Sequence, residues 1–325
     1  SLGNGIDPED VIKEYGADIL RLWVASSDYK TDIRISKDIL KQLSEVYRKI
    51  RNTCRYILGN IYDFEPDRDK VAYGELNELD KWALLKLGRL LKKVNEAYEQ
   101  YEFHLMFHAI HNFCVVDMSN FYLDIIKDRL YTTKADSMDR RAAQSVMYEI
   151  LEVLVRILTP VLAYTTEEIW QYMPHRSSDN RESIQMNDWP VIKEEYFNEE
   201  LEAKWDKILE LRSDVSKALE LARTGKVIGH SLNAKVTVYA DDKEYDFIKG
   251  IENELVTVFI ISEFELRRAA EAPSDAFTGE AFDGIRISIT QAPGEKCERC
   301  WMYSESVGKH GEHPSLCSRC AGVMG

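Results

Sequence analysis

No run in this 325-residue sequence approaches the ~18 apolar residues of a membrane span, and no leader pattern opens it. The expectation is a soluble, cytoplasmic protein with no membrane partner. Positive charge is scarce: 42 lysines and arginines stand against 56 acidic residues, a formal net charge of -14. That excludes a general coating of DNA or RNA, which depends on counterion release at a basic surface. A local patch that reads unpaired RNA bases by hydrogen bonding and stacking stays open. Also missing are a glycine-rich phosphate loop, a nucleophile elbow and any Ser/His/Asp arrangement with catalytic spacing. The chain therefore reads as an accessory portion of an enzyme, cut at its amino end. Cysteine is rare except at the end, where four of the six fall in the last 29 residues. In a large intracellular chain such clustering points to metal rather than disulfides.

What is present is mostly helical. Residues 101–131 contain no proline or glycine, and Phe103, Phe107, Ile110, Cys114, Met118, Phe121, Ile125 and Leu130 recur at three- to five-residue steps. Met106, Phe113, Val115, Val116 and Tyr122 add apolar groups around most of the circumference. A helix apolar on nearly all sides is enclosed by others, so one long central rod of a bundle is expected. It ends in Asp124, Lys127, Asp128 and Arg129, a solvated helix end by residue type. The string NFYLDIIKDRLY (120–131) resembles the anticodon-binding helical domain of the class I aminoacyl-tRNA synthetases for isoleucine, valine and leucine.

In chain order, Asp7-Pro8 opens a first helix with Val11, Ile12, Tyr15, Ile19, Leu22 and Trp23 as its stripe. In the resembling family, Ser-Leu-Gly-Asn follows the Lys-Met-Ser-Lys-Ser loop that stabilises adenylate formation. The resemblance makes Ser1 the remnant of that loop. It implies that both lysines, the His-Ile-Gly-His motif and any editing insertion are absent, so no catalytic residue is assigned. After a connector at 27–36, Ser36 caps a helix to about residue 62. Tyr47, Ile50, Cys54, Ile57, Leu58 and Ile61 form its apolar face. Arg48, Arg51, Asn52 and Arg55 form a second stripe, either an ordinary solvated face or one suited to phosphates and base edges. RKIRNTCRY (48–56) also resembles the family, which favours RNA. A loop at 63–77 precedes a helix at 78–99. Another helix starts at Ser137 and ends near Pro160. A short helix then closes the bundle, with Thr165 or Thr166 expected at its cap. His104, His108 and His111 share one helix side but lack acidic or cysteine ligands nearby, and read as core or rim histidines.

Residues 174–199 read as a polar linker and residues from Glu200 to about Gly225 as a helix. Residues 235–239, 256–261, 264–268 and 284–290 read as strands, with a helix over 241–251. His230 reads as a loop residue. Cys297-x-x-Cys300 and Cys317-x-x-Cys320 are two knuckles separated by 16 residues, the spacing of a structural zinc site. Two disulfides are the alternative. Arg299 and Arg319 hold equivalent knuckle positions; they either offset a four-thiolate zinc or meet phosphate, while Trp301 can stack on a base. KCERCWMY and LCSRC resemble the zinc peptide of bacterial-type isoleucyl-tRNA synthetases.

The expected fold is mainly α: an anticodon-binding helix bundle, a small α/β module and a four-cysteine zinc ribbon. The divisions are 1–35 (end of a catalytic-core loop and connecting helix), 36–199 (bundle), 200–292 (α/β module) and 293–325 (zinc tail). The resemblance implies a tRNA-recognition portion of an isoleucine-tRNA ligase, a monomer whose partner is isoleucine tRNA. One structural Zn2+ per chain is implied, with ATP and Mg2+ used only in an absent catalytic domain. The alternatives are the same portion of a valyl-type synthetase or a non-enzymatic zinc-ribbon interaction module.

Overall fold

The computed structural model describes residues 5–324, so Ser1 lies outside the described residues. Two compact units divide the chain. One runs to Ile126 and resumes over Asp136–Asn198; the other joins Lys127–Ala135 to the stretch from Glu199 onward. The chain thus passes between units after Ile126, after Ala135 and after Asn198. Among the described residues no helix is long and apolar enough to cross a membrane.

The first unit is helical. Helix α1 (Pro8–Tyr15) starts where the Asp7 carboxylate accepts the Glu9 amide at 2.8 Å. Gly16, at φ +90°, turns the chain into α2 (Ala17–Ser26). Ser36 caps α3 (Lys37–Asn60), as expected, and Asn77, expected only as the end of a loop, caps α4 (Glu78–Glu99). Helix α3 buries Leu40, Leu43, Ile50, Cys54 and Ile57; α4 buries Trp82, Leu85, Leu90 and Val94.

The expected continuous rod is instead segmented. Helix α5 (Phe103–Asn112) passes into a π-helix at Phe113–Tyr122, then a single turn at Leu123–Ile125. Beyond Ile126, α6 (Lys127–Thr132) belongs to the second unit. Enclosure is as expected on most sides: Phe107, Ile110, Phe113, Cys114, Met118, Phe121 and Tyr122 are all buried, while Val116 is half exposed. Within the π-helical segment Phe121 meets Trp82 edge-on at 4.8 Å, and the Tyr122 hydroxyl donates to Asp80 at 2.7 Å. Those packing demands come from α4 and have no counterpart in the local apolar period.

Helix α7 (Met138–Leu158), capped by Ser137, is the most enclosed, with Val146, Met147, Ile150, Leu151 and Leu154 among its buried residues. Its buried Arg140 donates to both oxygens of Asp63, at 2.6 and 2.9 Å, and Gln144 adds a third bond at 2.7 Å. Burial alone would raise the Asp63 pKa, but Arg140 and Gln144 more than offset it and hold it below the usual carboxylate range. A depressed folded value stabilises the protein above the unfolded value, about 4, and that stability is lost as pH falls through the lower folded value. The urea midpoint should therefore drop more between pH 6 and pH 3 in the wild type than in Asp63→Asn. Equal drops would remove Asp63 from the acid response.

Helix α8 (Ala163–Tyr172) corrects an expectation: its N-cap is Leu162, without a side-chain cap. Thr165 and Thr166 instead lie buried inside its first turn. The Thr165 amide and hydroxyl donate to Asp18, at 2.8 and 2.6 Å, and the Thr166 hydroxyl donates to the Leu162 carbonyl. The polar stretch that follows is ordered by turns at Ile184–Met186 and Glu194–Tyr196, with Ile184 and Tyr196 buried.

In the second unit, α9 (Glu199–Thr224) buries Trp205, Ile208, Leu211 and Val215. A four-stranded sheet has the order β2-β1-β4-β3, formed by β1 (Ala234–Ala240), β2 (Glu263–Arg268), β3 (Phe277–Thr278) and β4 (Ile285–Gln291). Strands β1 and β2 are parallel; β4 is antiparallel to both β1 and β3. The strand expected at 256–261 is not one. Helix α10 (Asp242–Phe259) continues through Val256-Thr257-Val258-Phe259, because Ile248, Ile251, Leu255, Val258 and Phe259 make one buried face. Tertiary burial overrides β-branched propensity here. A parallel β1–β2 pair also requires a crossover, which this helix supplies. Asp214 of α9 is fully buried and accepts backbone amides from Glu280, Ala281 and Phe282 at 2.8–3.2 Å.

Candidate nucleic-acid interface and metal centre

On α3 the spacing delivers what helical geometry dictates. Arg48, Arg51, Asn52 and Arg55 are all exposed, while Ile50, Thr53, Cys54 and Ile57 face inward. Arg48 is paired with Glu45 at 2.9 Å; among the described residues Arg51 and Arg55 have no ion-pair partner. The Thr53 hydroxyl fixes the helix to the π-helix, sharing a hydrogen bond with Ser119 at 3.0 Å and donating to the Cys114 carbonyl. Sequence reasoning passed over Lys49, exposed on the same helix. Burial, with the nearby Lys49 and His108 charges, holds His111 below its ordinary pKa. A cation one residue outside a regular stripe carries no periodic signal. The result is a cationic surface on an acidic chain, able to meet phosphates and, through Asn52, base edges.

The three histidines of α5 are not brought together as ligands. Among the described residues, the group able to hold a metal ion is Cys297, Cys300, Cys317 and Cys320. Their sulfurs all lie within 4.8 Å of one another, with Cys300 and Cys317 at 3.8 Å, and none is in a disulfide. Zinc bonded to four thiolates at about 2.3 Å would set its sulfurs about 3.8 Å apart, so the donor set fits. Local folding builds the cluster. Strands β5 (Glu295–Lys296) and β6 (Tyr303–Ser304) pair, and the Trp301 amide donates to the Cys297 carbonyl at 2.9 Å. Gly294, at φ +85°, is required, because a side chain there would sit 2.3 Å from the Ser304 backbone. The second knuckle leads into α11 (Ser318–Met324). Burial pushes Cys297 upward, but amide donors from Cys300, Cys317 and Arg299 bring it down to about 6, closer to the thiolate a metal takes.

The arginines of the two knuckles are engaged with α6. Arg299 donates to the Thr132 carbonyl, and Arg319 donates to both oxygens of Asp128. Asp128, which residue type placed at a solvated helix end, is thus bound by a residue 191 positions away. Trp301 is 60% exposed and holds φ +64°, a left-handed conformation costly for a bulky side chain. The Lys296 ammonium lies 5.1 Å from its ring centroid. His230 caps a turn, its Nδ1 accepting the Leu232 amide.

Comparison with known proteins bears on all three regions. Residues 80–238 match the family model described as anticodon-binding domain of tRNA ligase. Residues 294–322 match the zinc finger found in FPG and IleRS, and residues 1–36 match tRNA synthetases class I (I, L, M and V). The isoleucine–tRNA ligase of Caldanaerobacter subterraneus subsp. tengcongensis is 56% identical over 99% of this chain and 34% of its own length. That of Moorella thermoacetica is 53% identical over 100% and 35%, and that of Geobacter sulfurreducens 51% over 100% and 34%. The chain thus spans about a third of the length of the curated relatives it matches. Among solved structures, a chain of the LeuRS-tRNA-LeuAMS ternary complex of Agrobacterium radiobacter K84 aligns at 20% identity and a TM-score of 0.46. That likeness covers 61% of this chain and 22% of the other, and is too low to carry weight. Neither the valyl-type alternative nor the zinc-ribbon interaction module finds support in these matches. With curated relatives at 50–56% identity along its length, the chain belongs to the isoleucine–tRNA ligases, class I tRNA synthetases, as a portion of that enzyme.

Proposed function

We propose that this portion recognises the anticodon arm of an isoleucine tRNA for a monomeric, cytoplasmic enzyme that joins isoleucine to that tRNA. The observation that carries the reading is the exposed stripe of Arg48, Arg51, Asn52 and Arg55, within a unit matched by the anticodon-binding model. Phosphate contacts by Arg51 and Arg55 would set register; Asn52 offers the donor–acceptor pair that reads a base edge. Trp301 offers a stacking face. Arg299 and Arg319 remain candidates for RNA only through edges not given to Thr132 and Asp128. Isoleucine activation, with ATP and Mg2+, would belong to the catalytic domain of the longer enzyme. Holding the arm in place can supply several kcal/mol of a reaction barrier without any chemical group.

One zinc ion, held by Cys297, Cys300, Cys317 and Cys320, would cross-link the two knuckles with no coordination position left open. Its role is structural.

The test is binding to an isoleucine tRNA transcript at two salt concentrations, beside the same transcript with its anticodon replaced. Wild-type binding should fall with salt and with anticodon replacement. Arg51→Ala and Arg55→Ala should each cost about 1–3 kcal/mol if the side chain reads a base. If it meets a phosphate, each should reduce the salt slope by about 1. Wild-type affinity in both variants would sink the stripe as the interface.

A further inference from the structure

Both knuckles send an arginine to the same short helix. Arg319 donates through Nη2 to Asp128 Oδ1 at 2.8 Å and through Nη1 to Oδ2. Arg319 stands inside the second knuckle, between Cys317 and Cys320. Arg299, at the equivalent place in the first knuckle, gives Nε and Nη2 to the Thr132 carbonyl at 3.3 and 3.2 Å. That carbonyl belongs to the last turn of α6, where no intrahelical donor is available. The Thr132 hydroxyl in turn donates to the Asp128 carbonyl at 2.7 Å, so the two anchor points brace each other.

We propose that Asp128 is a positioning residue of the four-cysteine centre: by holding Arg319, which stands between Cys317 and Cys320, it fixes the second knuckle to α6, so metal retention and the order of α6 are linked. The inference rests on the zinc reading above. Four thiolates on Zn2+ leave a formal charge of minus two, and a guanidinium held within a knuckle offsets part of it. A guanidinium on a flexible stem keeps one place only if an edge is fixed, and the paired oxygens of Asp128 fix it. Without that anchor Arg319 has a flexible stem and a choice of solvent or Met302, whose sulfur lies 3.7 Å away. Partners that orient a ligand from outside the coordination sphere typically cost about 10–100-fold in metal affinity when removed.

The experiment loads the full chain with Zn2+ and measures its loss to a competing chelator. Alongside it come the thiolate charge-transfer band of the Co2+-loaded protein and hydrogen exchange over residues 127–132. Asp128→Asn keeps the size but loses the charge, and should weaken zinc retention by about tenfold or more. It should also shift the Co2+ band and speed exchange in α6. Arg319→Lys, which keeps a cation but no fork, should do the same, and Asp128→Glu should recover part of the loss. Glu298→Gln removes an exposed carboxylate beside Cys297 that has no part in the relay, and should leave retention unchanged. Unchanged retention and band in Asp128→Asn, or an equal loss in Glu298→Gln, overturns the proposal alone. Wild-type protein that takes up no zinc overturns the metal reading and this proposal with it.

Discussion

Cys317→Ser is expected to empty the metal centre and unfold residues 293–325, with the helical signal of the first unit retained. The tail is too small to fold on apolar burial alone. The buried cluster of the tail is Cys297, Cys317 and Cys320, joined by partly buried Cys300, Val307 and Leu316. Strands β5 and β6 are two residues each. So small a core cannot offset the conformational entropy of some thirty residues, roughly 1–2 kcal/mol each for the backbone alone. Structural zinc in small domains contributes about 10–16 kcal/mol, and losing one ligand of four removes most of it. Metal content by emission spectroscopy should fall from one per chain to near zero. Circular dichroism should lose little helix, since the tail contains only α11. Loss of the whole helical signal together with the metal would show that the tail is not a separate folding division.

Asp214→Ala should be the most damaging single change outside the metal centre, destabilising the second unit by about 3–5 kcal/mol. The Asp214 carboxylate accepts the amides of Glu280, Ala281 and Phe282, and no solvent reaches it. Alanine takes the acceptor from three amides, that of Phe282 buried, at about 1–3 kcal/mol for each that finds no water. Nor can the loop close over the gap. A side chain on Gly279 would meet the Phe282 carbonyl at 2.5 Å and Ile285 at 2.7 Å, so the turn has no slack. Asp214→Asn, keeping one acceptor oxygen, should fall between the two. Urea unfolding followed through β-sheet amide exchange measures the difference; a cost below about 1 kcal/mol would mean the loop is held by something else.

What the sequence disclosed and what it hid divide along a physical line. Asp7-Pro8, Ser36 and Ser137 are local devices, each acting on amides two or three residues away, and each starts the helix it was expected to start. The CxxC pair is equally local, and its four sulfurs converge. The misses are all long-range. Val256–Phe259 is β-branched or aromatic, yet it sits in a helix because the parallel neighbour of β1 must be reached by a crossover. Thr165 is drawn from a cap into the interior by Asp18, 147 residues earlier. The rod's π-helical winding answers to Trp82 and Asp80 on another helix. Asp128 and Asp214 look like ordinary helix-surface acids until Arg319 and the 280–282 amides are folded against them. A lone carboxylate carries no mark of a partner dozens or hundreds of positions away.

Trp301 brings an optical consequence. Trp82, Trp170 and Trp205 are 0–1% exposed, whereas Trp301, at 60%, is the most open indole of the chain. A collisional quencher such as iodide would reach it first, and its emission would lie to the red of the others. Because the ring sits one residue past a cysteine of the centre and within range of the Lys296 ammonium, its colour and lifetime would register both metal loading and anything laid flat upon it. The chain thus carries its own unlabelled reporter at the spot where a base would stack.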